Sequence, residues 1–212
     1  MLPILKNFFK PIEYEQIDGK RIDYERSELY KLYEKSSGEI CIIAGELTPA
    51  FYNEKLATIF ERNLKKHRAF SVKILFCKDE KLSTEARIKK TFEENKPLCE
   101  LLKDGAFGDR FSMYLSTKRP EYHFGMGDNF ILIEEKHDHI DNIDNIDNID
   151  NIDNIDNIDN IEKKTNRDSL LVYNYKKLIK KYNRYFMKQI NEPDSGNKII
   201  KLTYNDFKTI AS

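Results

Sequence analysis

The sequence predicts an α/β fold, a mixed and mainly parallel sheet flanked by helices. Three observations carry this. Two continuous apolar runs, residues 39–47 (EICIIAGEL) and 70–77 (FSVKILFC), have the length and β-branched content of strands buried on both faces. A segment with helical spacing lies between them, making a β-α-β unit whose crossover is right-handed. Further on, residues 119–137 (RPEYHFGMGDNFILIEEKH) read as a strand, a tight turn and a second strand.

Taken in order, residues 1–20 show no period and read as an irregular or strand-like lead-in. Residues 21–37 place Tyr24, Leu29, Leu32 and Tyr33 near helical spacing, and Gly38 stops that helix. After the first apolar run, Thr48 and Pro49 fit an N-cap and a first helical position. The helix then runs through Phe51, Leu56, Ile59, Phe60 and Leu64 to Lys65-Lys66-His67-Arg68, a basic end that suits the helix dipole. Residues 83–104 read as helical, with Ser83 as cap, Pro97 dividing the segment and Gly105 ending it. Residues 110–116 alternate polar and apolar and predict a third strand. In the hairpin the arms are Tyr122–Met126 and Phe130–Glu135, and Gly127-Asp128-Asn129 supplies residues that tolerate positive φ. From Ser169, SLLVYNYKKLIKKYNRYFMKQI sets Leu171, Tyr175, Leu178, Tyr182, Phe186 and Ile190 on one side and Lys and Arg on the other, the pattern of an amphipathic helix. A short strand over 198–203 and a ragged tail close the chain.

Between 140 and 161 the triplet Asp-Asn-Ile repeats seven times. All three residue types are poor helix formers, and a three-residue period gathers no face. The segment 138–162 therefore reads as a low-complexity, disordered acidic insertion. A calcium-binding array is a weaker alternative, because the triplets lack the glycine turn of calcium loops. The expected organisation is a lead-in and helix over 1–38, an α/β core over 39–137, the insertion over 138–162, and a C-terminal helix and tail over 163–212.

The formal net charge of zero hides a segregation. Residues 138–162 hold nine acids and no Lys or Arg, which leaves 36 basic against 27 acidic residues elsewhere, a net +9. A basic body favours nucleic acid or another phosphodiester ligand as partner. The insertion could then fold over that body and compete with the ligand. No apolar run reaches the length of a membrane span, and the start lacks a signal-peptide pattern. A cytoplasmic location is the expectation. Cys41, Cys77 and Cys99 are odd in number and lack metal-ligand spacing, so buried free thiols are expected.

The element order, with IAGEL, a helix, KILF, a helix ending LCELLKDG, a strand and then a hairpin opened by His123, resembles one half-unit of the phospholipase D superfamily. The resemblance implies phosphodiester chemistry with two His-x-Lys motifs, within one chain or across a homodimer. In such a site one His attacks phosphorus and the partner motif's His protonates the leaving oxygen. The Lys neutralises a phosphoryl oxygen. Here His123 matches the family His. Gly125 stands at the Lys position and Phe130 at the Asp position, with Asp128 two residues early in the turn. Glu134-Glu135-Lys136-His137 replaces the following Gly-Ser-x-Asn.

Two readings stay open. In one the fold survives as a non-catalytic nucleic-acid or phosphate-binding module. In the other it is a divergent homodimeric phosphodiesterase, nuclease-like. There His123 is the nucleophile, His137 the acid or base, Glu134 an orienting carboxylate, and Lys118 or Arg119 the phosphate contact. A structural reading stands beside both, in which His123 and Tyr122 merely fill a strand and Glu134 with Lys136 is an exposed strand end. His137 with Asp138 and His139 supplies too few ligands to make a metal site. No cofactor is expected.

Overall fold

The computed structural model describes residues 13–17, 22–134 and 169–211. Strand β1 (Glu13–Ile17) is followed by helix α1 (Ile22–Lys35), β2 (Glu39–Ala44), α2 (Glu54–Lys66) and β3 (Ser71–Phe76). Helices α3 (Thr84–Glu94) and α4 (Lys96–Cys99) lead through two 3-10 turns into β4 (Phe111–Ser116). The hairpin strands are β5 (His123–Met126) and β6 (Phe130–Glu134), followed by β7 (Ser169–Tyr173), α5 (Lys176–Asn191), β8 (Ile199–Lys201) and α6 (Tyr204–Ala211).

Eight strands form one sheet in the order β1-β7-β6-β5-β2-β3-β4-β8. β2, β3 and β4 are parallel, as the apolar runs predict. The other neighbours pair antiparallel, so the sheet is mixed as expected but mainly antiparallel rather than mainly parallel. The hairpin and the strands added at both edges shift that balance, because each of them pairs antiparallel with its neighbours.

Two apolar layers cover the sheet. On one face α1, α2, α3 and α6 bring Tyr33, Leu56, Phe60, Ile88 and Phe207 against Ile40, Ile42, Val72 and Ile74. On the other, α5 packs Phe186 against Cys41, Ile43, Leu75 and Phe124. β2 thus alternates between two buried layers, which is why its sequence is apolar throughout. Cys41, Cys77 and Cys99 are free and buried.

Four local expectations change. Thr48 and Pro49 form a turn, with Phe51 N donating to Thr48 O at 3.0 Å, and α2 starts five residues later. Asn53 caps it by accepting from the backbone N–H of Lys55 at 3.0 Å and of Leu56 at 3.3 Å, a role that asparagine performs better than threonine. In the hairpin turn none of Gly127, Asp128 and Asn129 has positive φ. Gly127 is required for space instead, since a Cβ there would lie 2.5 Å from Phe130 Cε1 and 3.1 Å from Ile40 Cδ1.

The segment from Ser169 is not one helix. β7 pairs with β1 on one side and β6 on the other, and that double ladder overrides helical spacing in Leu171 and Val172. Asn174, at φ 60°, turns the chain before α5 begins. Nor is the end ragged: α6 docks Phe207 in a stack on Phe92, ring centroids 5.2 Å apart. The 138–162 insertion lies outside the described residues, and no described helix is long and apolar enough to cross a membrane.

Candidate functional site

β5 is antiparallel to β2, so its first residue comes level with the C-terminal end of the parallel strands. Ligands of open α/β sheets gather at that edge. His123 begins β5 and is 8% exposed. Directly beside it the chain leaves β2 at Gly45, whose amino-acid type decides the packing. A Cβ on Gly45 would lie 2.7 Å from His123 Cε1, 3.1 Å from His123 Nε2 and 3.2 Å from Arg119 Nε. The imidazole and the guanidinium therefore close over the same point of bare backbone. A histidine and an arginine converging there set two side chains that can donate N–H bonds to an anion close together.

The loops around this pair are braced. Arg87, buried on α3, donates from Nε to Leu82 O at 3.0 Å, from Nη1 to Thr117 O at 3.1 Å and Ser116 O at 3.4 Å, and from Nη2 to Glu80 O. It thereby ties the segment after β3 to the segment after β4. Cys77 N donates to Gly45 O at 3.1 Å, holding the ends of β2 and β3 together. Burial pushes the Cys77 thiol up, while Arg87 and Arg119 pull against that shift. The thiol is thus protonated near neutrality and is no ready nucleophile.

Of the expected phosphate pair, Arg119 stands by His123. Lys118 instead donates from Nζ to Ser195 O at 3.2 Å, and its backbone N–H to Asn197 Oδ1 at 3.2 Å. Glu134 lies opposite His123 in the β5–β6 register. His137, like Asp138 and His139, lies outside the described residues. Among those described, no three His, Cys, Asp or Glu side chains gather as a metal-holding group.

The face of β5 that carries His123 also carries Gly125, two residues on. The space a side chain would take there is filled by the hydroxyl of Tyr33 from α1. Tyr33 is fully buried, and its ring lies 5.8 Å from that of Phe130 and 5.5 Å from that of Phe60. The two positions at which the family motif places Lys and Asp thus both meet one tyrosine. Asp128 lies in the turn past the other end of β5 from His123, accepting at Oδ2 from Gly38 N at 3.0 Å. A shallow hollow between α1 and α2 shares no residue with this neighbourhood, and its Arg62 is paired with Glu34 at 2.7 Å.

Gly45 and Tyr33 are the site residues that sequence reading passed over. A glycine directly after an apolar strand is a legible sign of close backbone approach. Tyr33 gives no such sign, since it fits the apolar stripe of its helix.

No protein-family model matches the chain, and no curated protein does. Solved structures are similar to it. An archaeal chromatin protein, TrmBL2, described as showing a novel mode of DNA binding, has a TM-score of 0.48 and 10% identity over 88% of this chain and 55% of that one. Nuc of Salmonella typhimurium, described as a phospholipase D family member, has a TM-score of 0.47 and 10% identity over 91% of this chain and 98% of that one. Phosphatidylserine synthase of Haemophilus influenzae has a TM-score of 0.48 and 13% identity over 92% of this chain and 41% of that one. At these scores the likeness to phospholipase D proteins is one of layout, and the chain spans only about half the length of the archaeal protein. What His123 does here is read from its own surroundings.

Proposed function

We propose that this chain is a phosphate-binding module, for nucleic acid or another phosphodiester ligand, built on a phospholipase D-like layout and without turnover. The observation that carries this is the Tyr33 hydroxyl beside Gly125. Phosphodiester cleavage by histidine needs a cation held against a phosphoryl oxygen as charge builds on it. On the face of His123 the neighbouring position has no side chain, and the room for one is taken. Losing such a clamp costs on the order of 3 kcal/mol of transition-state stabilisation. Binding needs less, and Arg119 beside His123 over Gly45 supplies it.

The test measures hydrolysis of a phosphodiester reporter and of oligonucleotides, with and without EDTA, for the natural protein, His123→Ala and Arg119→Ala. The expected result is no cleavage above that of His123→Ala, with salt-sensitive binding that weakens about tenfold in Arg119→Ala. Cleavage that survives EDTA and vanishes in His123→Ala would overturn the non-catalytic reading. It would establish the second one, a divergent homodimeric phosphodiesterase with His123 as nucleophile. The cation that Arg119 sets beside the imidazole favours that alternative, and it needs a second copy to supply the second His.

A further inference from the structure

The exposed face of α5 is unlike that of the other long helices. Between Lys176 and Asn191 it carries six cations, Lys176, Lys177, Lys180, Lys181, Arg184 and Lys188, and no acid. Helices α1, α2 and α3 carry both signs. Four of their cations are ion-paired, Lys31 with Glu28, Arg62 with Glu34, Lys65 with Glu61 and Lys90 with Asp79. An ordinary solvated face in this lysine-rich chain is therefore mixed. Lys177, Lys180, Arg184 and Lys188 recur at steps of three and four, a stripe about 16 Å long on one side of the helix. They cannot offset each other's repulsion, so an anionic partner gains what the fold leaves unneutralised.

Past the helix come Glu192 and Asp194, and cations return across the loop contact. The loop that follows α5 meets the loop that follows β4, where Asn197 Oδ1 accepts from Ser116 Oγ at 3.0 Å and Thr117 Oγ1 at 3.2 Å, and Lys118 reaches Ser195. From Lys118 the chain passes to Arg119, over Gly45. Between these cations and the helix sits a cluster of half-buried tyrosines. The Tyr122 ring lies 5.0 Å from that of Tyr185 and 6.3 Å from that of Tyr182, both on α5. Each of these rings is partly exposed, and partly exposed rings beside cations are what an unpaired strand binds: phosphates track the charges and bases stack on the rings. A duplex hides its bases from such rings. A bilayer is disfavoured, because the apolar side chains of α5 all pack toward the sheet.

We propose that α5 and the Lys118–Tyr122 loop form a track for single-stranded nucleic acid that leads to Arg119 and His123. This deepens the binding function proposed above and rests on it.

Fluorescence anisotropy with a labelled thymidine oligonucleotide tests it, beside a duplex of the same length and phosphatidylcholine–phosphatidylserine vesicles. The proteins compared are the natural chain, the triple variant Lys180→Gln/Arg184→Gln/Lys188→Gln, Tyr122→Leu, and Lys65→Gln/Lys66→Gln on α2 as control. The track predicts tightest binding to the single strand. The triple variant should weaken it about tenfold or more and reduce the slope of log affinity against log salt by about 2. Tyr122→Leu should weaken the single strand about fivefold or more and leave the duplex unchanged. The control should match the natural protein. Single-strand binding by the natural chain with an unaltered salt slope in the triple variant would overturn the track and leave the binding function standing. Vesicle association that alone responds to the triple variant would overturn it in favour of a lipid surface. Binding of the natural chain to none of the three probes would overturn the binding function too.

Discussion

The hydroxyl of Tyr33, on α1, fills the space into which a side chain at Gly125, on β5, would project. Glycine at 125 and tyrosine at 33 are thus a matched pair, and no side chain can be added at 125 without strain while the hydroxyl is there. Gly125→Ala should destabilise the protein by about 1–3 kcal/mol, with Tm falling by roughly 2–4 °C per kcal/mol in a chain of this size. Tyr33→Phe removes the oxygen that the new methyl meets, so the double variant should recover at least half of that loss. Thermal melts of the two single variants and the double variant check it. A Gly125→Ala protein that melts with the natural one would show that the tyrosine yields freely.

Gly45 plays a similar part for His123 and Arg119. Its φ is not in the left-handed region, so alanine is conformationally acceptable there. The added Cβ would nonetheless lie 2.7 Å from His123 Cε1 and push at Arg119. Gly45→Ala should therefore reduce oligonucleotide affinity about fivefold or more, with stability changed by less than about 1 kcal/mol. Binding titrations beside melts separate the two effects. Unchanged affinity would mean that His123 and Arg119 do not contact the ligand together.

Arg87 braces the loops that carry this pair through carbonyls of Glu80, Leu82, Ser116 and Thr117. A lysine keeps the charge but cannot present a planar fork to carbonyls on two loops. Arg87→Lys should cost about 1–3 kcal/mol, because buried carbonyls lose their donors. Urea denaturation measures it. A cost near zero would show that the loops hold without the brace.

Cys99 gives a pH dependence with a definite sign. Burial pushes its thiol up to about 12 from an ordinary value of 9.0. Below pH 9 both folded and unfolded chains keep the proton and the thiol contributes no slope. Between about pH 9 and about pH 12 the unfolded chain ionises first, so stability falls as pH rises. Cys99→Ala should flatten this part of the curve. Urea midpoints at about pH 8 and about pH 10.5 should differ less for the variant than for the natural protein. An equal difference would place the alkaline loss elsewhere.

Several features are legible because their cause is local. β2 and β3 announce themselves as unbroken apolar runs, and Ser83 caps α3 with its hydroxyl on Ala86 N at 3.2 Å, as its position before an amphipathic segment implies. The arms of the hairpin follow from alternation around a turn. Residues 169–173 are not legible in this way. Their spacing also satisfies a helix, and only the presence of β1 and β6 on either side offers a ladder that the isolated segment lacks. The antiparallel majority of the sheet has the same origin.

The chain's own residues determined that a buried β-α-β unit forms, that a histidine opens the hairpin strand, and that neither the lysine nor the aspartate of the family motif accompanies it. Those are matters of residue type and short-range period. Tertiary structure alone decided that Tyr33 closes the space beside Gly125, that Arg119 rather than Lys118 joins His123, and that Gly45 is the bare backbone beneath them. Such contacts join residues far apart in sequence, and steric fit between separate elements leaves no periodic trace in any one of them.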